Sequence, residues 1–513
     1  MARYKSCDYD QRMLVPVSLE EQLVPGTLEY AIHHLVQERL DTTGFDAQYR
    51  NDETGRVAYD PKVLLKIVLL GYARGMMSSR KIERACQENI LFMALSCAQR
   101  PDHSTIAGFV SGMSEERIGS LFTQVLMICE EEGLLGGTHF SIDGLKLSSK
   151  ASKEWSGTHA DLRKKQEKLQ EKVREAMAEH KEADRRGGDA DARRLQRRKE
   201  RLEHSAGRIE KYLNETPPRM GRRGKEIQGN ITDPESAKLV SSHGVVQGYN
   251  ANAMVDEKCQ VIVHAEAFGE GDDAENVAPM LQGAEEPLKA AGYGEAPLKG
   301  RTLSADTGYY SLSNLEACRD YEVDAFIPDR QFRKRDLRFA EASRHRRSVD
   351  KHKKRYASKK RWFTVDDFTW DGHTQKLMCP AGHPLRKNGA HFETTDGYLA
   401  TSYRAPERFC SACPLRLKCL RNPHGRSRQV RLFHGRRPGS LGDAMKQKID
   451  TREGRATYSK RLGIVEPVFG NIRAQKGLDR FTLRGRKKVN IQWKLYCLVH
   501  NVEKLGKHSM GLN

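Results

Sequence analysis

The stretch Thr138-His139-Phe140-Ser141-Ile142-Asp143-Gly144 constrains this chain more than any other. Apolar Phe140 and Ile142 alternate with His139, Ser141 and Asp143, the two-residue period of a half-buried strand. Gly136-Gly137 open the stretch and Gly144 follows the acid. A carboxylate at such a strand end stands on a rigid support and faces a cleft. That suits a metal ligand, because hard divalent cations take oxygen. The plainer alternative is a solvated Asp in a hairpin.

Two later stretches bear on that choice. Arg301-Thr302-Leu303-Ser304-Ala305-Asp306-Thr307-Gly308 again runs from a short strand into an acid and a glycine. A helix follows it, with Ser313 and Glu316 spaced as a capping box. Further on, Glu466 lies in a basic, helix-like segment with Tyr458, Arg461 and Arg473. The formal net charge is +20, from 88 Lys and Arg against 68 Asp and Glu, which favours a polyanionic partner. Nucleic acid is expected and a membrane is not, since no amphipathic anchor stands out. Acids on separate elements of so basic a chain point to a two-metal phosphoryl-transfer centre. The alternative for Glu466 is a surface ion pair with Arg461 or Arg473.

At 513 residues the chain has room for two or more domains. Residues 1–16 contain no apolar signal-peptide core, and the longest apolar run, 63–77, is broken by Lys66 and Arg74. A cytoplasmic protein is expected, with its 11 cysteines mostly reduced or metal-bound.

Residues 1–130 read as helical. Asp60-Pro61 is a strong helix start, Ser78 or Ser79 can cap the next helix, and Asp102 can cap a third. Short capped helices predict an all-α, helix-turn-helix-like DNA-binding domain with Arg80, Lys81 and Arg84 facing DNA. A plain helical bundle is the alternative. A helix over 115–132 then leads to the Asp143 strand. Residues 158–214 carry two apolar stripes around a turn at 186–189, which predicts a helical-hairpin insertion. Pro217-Pro218 and the basic residues 219–225 form a linker. Strand patterns at 245–255 and 260–265 form a hairpin about Asp256-Glu257-Lys258, and a helix near 275–291 leads to the Asp306 strand. The order β-β-β-α-β predicts a mixed α/β sheet.

A second insertion, 326–440, opens very basic, with Arg and Lys dense from 330 to 361. Tyr356, Trp362 and Phe363 interleave with the charges, which suits phosphate contact and base stacking, and 362–365 reads as a short strand. Cysteines follow at Cys379, Cys410, Cys413 and Cys419. The C-x2-C knuckle predicts a structural zinc held by these four thiolates, or by three of them with His383. Free buried thiols are the alternative.

Several short motifs occur together and in order: Ser79-Arg80-Lys81-Ile82-Glu83, Pro101-Asp102-His103-Ser104-Thr105-Ile106, Ile142-Asp143-Gly144, Gly248-Tyr249-Asn250-Ala251, Ala305-Asp306-Thr307-Gly308 and Val465-Glu466-Pro467-Val468-Phe469-Gly470. With them the chain resembles bacterial insertion-sequence transposases of the DDE superfamily, in the branch typified by insertion sequence eleven-eighty-two. The resemblance implies a ribonuclease-H-like core in two parts, 135–325 and 441–513, and metal-dependent DNA cleavage and joining. It makes Asp143, Asp306 and Glu466 the catalytic acids, holding two Mg2+ or Mn2+ ions. Tyr458, Arg461 and Arg473 fill the family's places beside the last acid, Arg473 where Lys is commoner, and are expected at DNA phosphates. Pro467 either bends the helix at Glu466 or starts a new one. The expected partners are transposon-end and target duplexes and a second copy of the chain on DNA. Rival readings are a nuclease that cuts without joining and a non-catalytic DNA-binding protein.

Overall fold

The computed structural model describes residues 16–48, 57–185, 189–220, 226–241, 244–339, 362–394, 398–422, 424–436 and 438–509. The expectations for residues 1–15, the turn at 186–188, the basic linker at 221–225 and the basic run at 340–361, with Tyr356, lie outside the described residues.

The N-terminal part is helical: α1 (Leu28–His34), α2 (Pro61–Ala73), α3 (Ser79–Glu88), α4 (Ile90–Leu95), α5 (His103–Gly112) and α6 (Glu115–Glu131). Local chemistry starts all but one of them. Asp60 accepts from the Lys62 amide ahead of Pro61, and Asp102 accepts from the amides of Ser104 and Thr105. Asn89 caps α4 and Ser114 caps α6, whereas the Ser78 side chain makes no capping bond.

A six-stranded sheet follows. In chain order its surroundings are β1 (His139–Ser148), β2 (Ser156–Gly157), the paired helices α7 (His159–Arg185) and α8 (Asp189–Glu215), β3 (Gly229–Asn230), β4 (Ala237–Ser241), β5 (Gly244–Asp256), β6 (Ile262–Phe268), α9 (Val277–Ala290), β7 (Thr302–Ala305), α10 (Leu312–Asp320) and β8 (Asp324–Phe326). The sheet runs β4-β5-β1-β7-β8, with β6 on the remaining length of β5. β1 is antiparallel to β5 and parallel to β7, and β7 is parallel to β8. This mixed α/β sheet is consistent with a ribonuclease-H-like core. Helix α10 corrects one expectation. Its N-cap is Ser311, which accepts from the Asn314 amide at 3.1 Å, while Ser313 donates to the Ala274 carbonyl at 3.0 Å and cannot form the expected capping box with Glu316.

Residues 362–436 build a smaller unit from β9 (Thr369–Asp371), β10 (Lys376–Met378), β11 (Arg386–Glu393), β12 (Tyr398–Arg404), α11 (Glu407–Ser411), α12 (Arg416–Cys419) and β13 (Gln429–Arg436). Its core is Phe368, Leu377, Leu385, Tyr403, Ala405 and Val430. The strand expected at 362–365 is absent. Thr364 instead caps a 3-10 turn over Val365–Asp367, where the Asp367 carboxylate accepts from the Thr364 amide at 2.7 Å.

Three helices complete the molecule: α13 (Leu441–Asp450), α14 (Arg452–Gly470) and α15 (Arg486–Ser509). Helix α15 covers β6, whose outer edge it satisfies with amide side chains. Asn501 bonds both the amide and the carbonyl of Ile262, at 2.9 and 2.8 Å, and Asn490 accepts from the Ala267 amide at 2.6 Å. Helices α1, α2 and α6 pack on the same α15, with Tyr72 stacked on Tyr496 at 4.6 Å. The N-terminal helices and the sheet therefore share one hydrophobic core, from Ile32 to Val502.

Candidate active site

The parallel register of β1 and β7 sets Ile142 opposite Ala305. Asp306 follows the end of β7, and Asp143 stands level with it inside β1, which runs on to Ser148 because β5 pairs with it there, so Asp143 is not at the strand end expected for it. His139, Ser141 and Ser304 lie on that face beneath them by the two-residue period. They are buried and mutually bonded, His139 Nε2 to Ser304 Oγ at 2.9 Å and Ser141 Oγ to Ser304 Oγ at 2.6 Å.

Helix α14 lies against this sheet. Its Lys460 pairs with Glu257 at 2.9 Å, and Arg461 donates from Nη1 to Asp143 Oδ2 at 2.7 Å. The other Asp143 oxygen accepts from the Gly144 amide at 2.8 Å, and Asp306 Oδ1 accepts from the Gly308 amide at 2.7 Å. Burial pushes the Asp143 carboxyl up to about 6; the Arg461 guanidinium opposes the rise and the Asp306 carboxylate adds to it. Burial works against the charge of Arg461 as well, but Asp143 holds it on the guanidinium. Tyr458 stands edge-on to Phe332 at 5.3 Å and under the Arg461 guanidinium at 5.9 Å, and burial raises its hydroxyl.

A further acid joins this group, and it is Asp273, from the loop after β6. Its Oδ2 and Asp306 Oδ1 lie 3.1 and 2.9 Å from the point a Cβ on Gly308 would occupy. Asn250 Nδ2 donates to Asp273 Oδ1. Burial raises the Asp273 carboxyl, Asn250 and Lys146 oppose the rise, and Asp306 adds to it. Between the strands, the fully buried Tyr309 hydroxyl accepts from Asn252 Nδ2 at 2.8 Å. Burial holds that hydroxyl well above the ordinary range, and Asp273, Asp143 and Asp306 all add to the effect, so one ring senses all three carboxylates. Sequence patterns pass over Asp273 because it lies in Glu270-Gly271-Asp272-Asp273, a loop without periodicity. Its only local signal is an acid just past the end of a sheet strand, where α/β sheets place their sites.

Glu466 forms no hydrogen bond or ion pair with this group among the described residues. It is exposed, and at about 100° per residue it lies about 140° around α14 from Arg461. The helix runs without a break through Pro467. Proline offers no amide to the Gly463 carbonyl, and the Gln260 side chain donates to that carbonyl instead, at 3.0 Å. Arg473 lies past the end of α14 and stands 3.5 Å from Asp479. On α3, Arg80, Lys81 and Arg84 are exposed, and Arg84 pairs with Glu88 at 2.8 Å.

In the smaller unit, Cys379, Cys410, Cys413, Cys419 and His383 line one small cavity, and the four thiols are free. His383 stacks on Phe409 at 4.5 Å. Burial raises the Cys419 thiol; Arg428 opposes this and the other three cysteines add to it. Among the described residues, no group of three or more His, Cys, Asp or Glu side chains stands close enough together to hold an ion. Among them also, no helix is long and apolar enough to cross a membrane.

The carboxylate cleft nevertheless fits a divalent cation. Burial disfavours the negative charge of Asp143 and Asp273 beside Asp306, and Arg461 and Lys146 are the cations that oppose this among the described residues. The amide oxygens of Asn250 and Asn252 are buried there without a partner.

Two families match the chain. One, described as "Transposase DDE domain", covers residues 378–506, which hold the cysteine unit, Arg461 and Glu466 but neither Asp143 nor Asp306. The other, described as "Transposase domain", covers residues 17–112, the N-terminal helices through α5. No curated protein matches the chain.

Proposed function

Given a chain that belongs to the DDE-type insertion-sequence transposases, we propose that it cuts DNA at the ends of its own element and joins those ends to target DNA. The observation that carries this reading is the pair Asp143 and Asp306, set level by parallel strands beside the buried cation of Arg461. Mg2+ or Mn2+ ions bound there supply charge neutralisation at the entering and leaving oxygens of a phosphodiester. Asp143 and Asp306 would hold them, and Glu466, exposed on α14, is the further acid by resemblance alone. Arg461 fixes the Asp143 carboxylate, so it acts as a positioning residue. Tyr458 and Arg473 serve the DNA phosphates.

The exposed Arg80, Lys81 and Arg84 of α3 contact the element's ends. By their spacing, Cys379, Cys410, Cys413 and Cys419 would hold one structural zinc, and all four line one cavity. Two copies of the chain bind the two ends, in the bacterial cytoplasm where the DNA is.

Incubating the purified chain with its own flanking DNA ends and Mg2+ tests the reading, with nicks, double-strand breaks and joined products resolved. Cleaved and joined products are expected. Asp143→Asn, Asp306→Asn and Glu466→Gln should each abolish both while DNA binding remains. Strand transfer retained by one amide variant removes that residue from the site. Cleavage without joining would make the chain a nuclease, and selective binding without cleavage a DNA-binding protein.

A further inference from the structure

We propose that Asp273 and Asp306 together hold a divalent cation, with Asn250 orienting the Asp273 carboxylate; the inference rests on the transposase reading of this cleft. The two carboxylate oxygens flank one point, 3.1 and 2.9 Å from where a Cβ on Gly308 would stand. The glycine leaves that space open. Two carboxylates that face one gap in a partly buried place disfavour each other's charge, which a bound cation would offset.

The loop carrying Asp273 is pinned in place. Asn314 donates to the Asp273 carbonyl at 3.1 Å, and Ser311 and Ser313 both donate to the Ala274 carbonyl. The Asp273 side chain is therefore delivered to Asp306 by a rigid support.

The second observation is independent of the acids. Asn250 is fully buried and spends its Nδ2 on Asp273, while its Oδ1 has no partner. Asn252, equally buried, leaves its Oδ1 unpartnered too, and both oxygens converge 2.7 Å from the point a Cβ on Gly144 would occupy, next to Asp143. Buried amide oxygens are ordinarily satisfied, so two orphans in the cleft, one of them on the side chain that orients Asp273, point to a ligand that prefers oxygen. Two carboxylates suffice for Mg2+, which keeps water and substrate phosphate in its remaining positions. Lys146, on β1, faces Asp273 as the nearby protein cation.

The test titrates Mn2+ into the full chain, reads free Mn2+ by electron paramagnetic resonance, and assays cleavage of the element's ends in parallel. Asp273→Asn and Asp306→Asn should each weaken Mn2+ binding by at least ~10-fold, and Asn250→Ala by about 10-fold, with melting temperatures close to the unaltered chain. Asp143→Asn should lose cleavage but keep this Mn2+. Unchanged Mn2+ affinity in Asp273→Asn overturns the proposal, as does an unaltered chain that binds no Mn2+ with or without end DNA. If Asp273→Asn does not fold, Asp273→Ser carries the test with the same two outcomes. An unaltered chain that binds Mn2+ through Asp273 yet cleaves nothing leaves this ion site standing and removes the transposase reading alone.

Discussion

The carboxylate cleft and the cysteine cavity both collect residues that are far apart in sequence, but on very different supports. Asp143 and Asp306 stand on strands embedded in the largest hydrophobic core, where Phe140, Ile142, Leu303 and Ala305 are buried beside them. The cysteines surround a small core made of Phe368, Leu377, Leu385, Tyr403, Ala405 and Val430. A core that small supplies little stability, and small units commonly rely on a metal or cross-link. The cleft is thus preorganised by the fold and electrostatically frustrated, whereas the small cysteine unit is the one that a bound zinc, as proposed, would stabilise. In one region the fold places the acids; in the other the proposed zinc would support the fold.

The largest expected effect separates activity from stability at the cleft. Asp306→Asn should lower end cleavage at least ~10³-fold, because centres of this kind act as a unit. Its thermal melt should stay within about 2 °C of the unaltered chain, since the carboxylate contributes charge and no packing. A variant that loses its fold along with its activity breaks the contrast.

Metal removal should do the reverse at the cysteines. Chelation, or Cys413→Ala, is expected to lower the opening free energy of residues 362–436 by several kcal/mol. Hydrogen exchange reads this directly: amides of β12 and β13 should lose protection while those of β1 and β7 keep it. Equal protection before and after chelation would show that the small core stands by itself.

The zinc affinity should also depend on pH with a definite sign. Burial holds the Cys419 thiol above its ordinary range, so it is protonated at neutral pH and must release a proton to bind. Affinity should therefore rise with pH, by up to about 10-fold per unit for each proton released. Competition against a chromophoric chelator between about pH 6 and 8 measures the slope, and a flat profile would rule out thiol ligands that start protonated.

The smallest effect concerns the helix that carries Arg461. Gln260→Ala removes the donor to the Gly463 carbonyl and should cost about 1 kcal/mol in a denaturant melt. A loss several times larger would mean that α14 depends on this one bond to pass Pro467.

What could be read in the sequence was whatever is encoded over a few residues. The alternation of Phe140 and Ile142 with His139, Ser141 and Asp143 specifies a strand and the face of its acid. Asp60-Pro61 and Asp102 specify helix starts because a cap needs only a side-chain oxygen and the next amides. The order of strands and helix after Asp143 was enough to expect a mixed α/β sheet.

Tertiary structure decided the rest. Ser311 and not Ser313 caps α10, because the Ser313 hydroxyl is drawn to Ala274, 39 residues earlier. Helix α14 passes Pro467 because Gln260, 203 residues from Gly463, supplies the missing donor. Asp273 reaches Asp306 because a pinned loop, the gap at Gly308 and the amide of Asn250 coincide. Periodicity and capping are short-range and leave a mark in the local sequence. Convergence of charges depends on which distant backbone groups are free and which space is open, and those are fixed only when the sheet and its loops have packed.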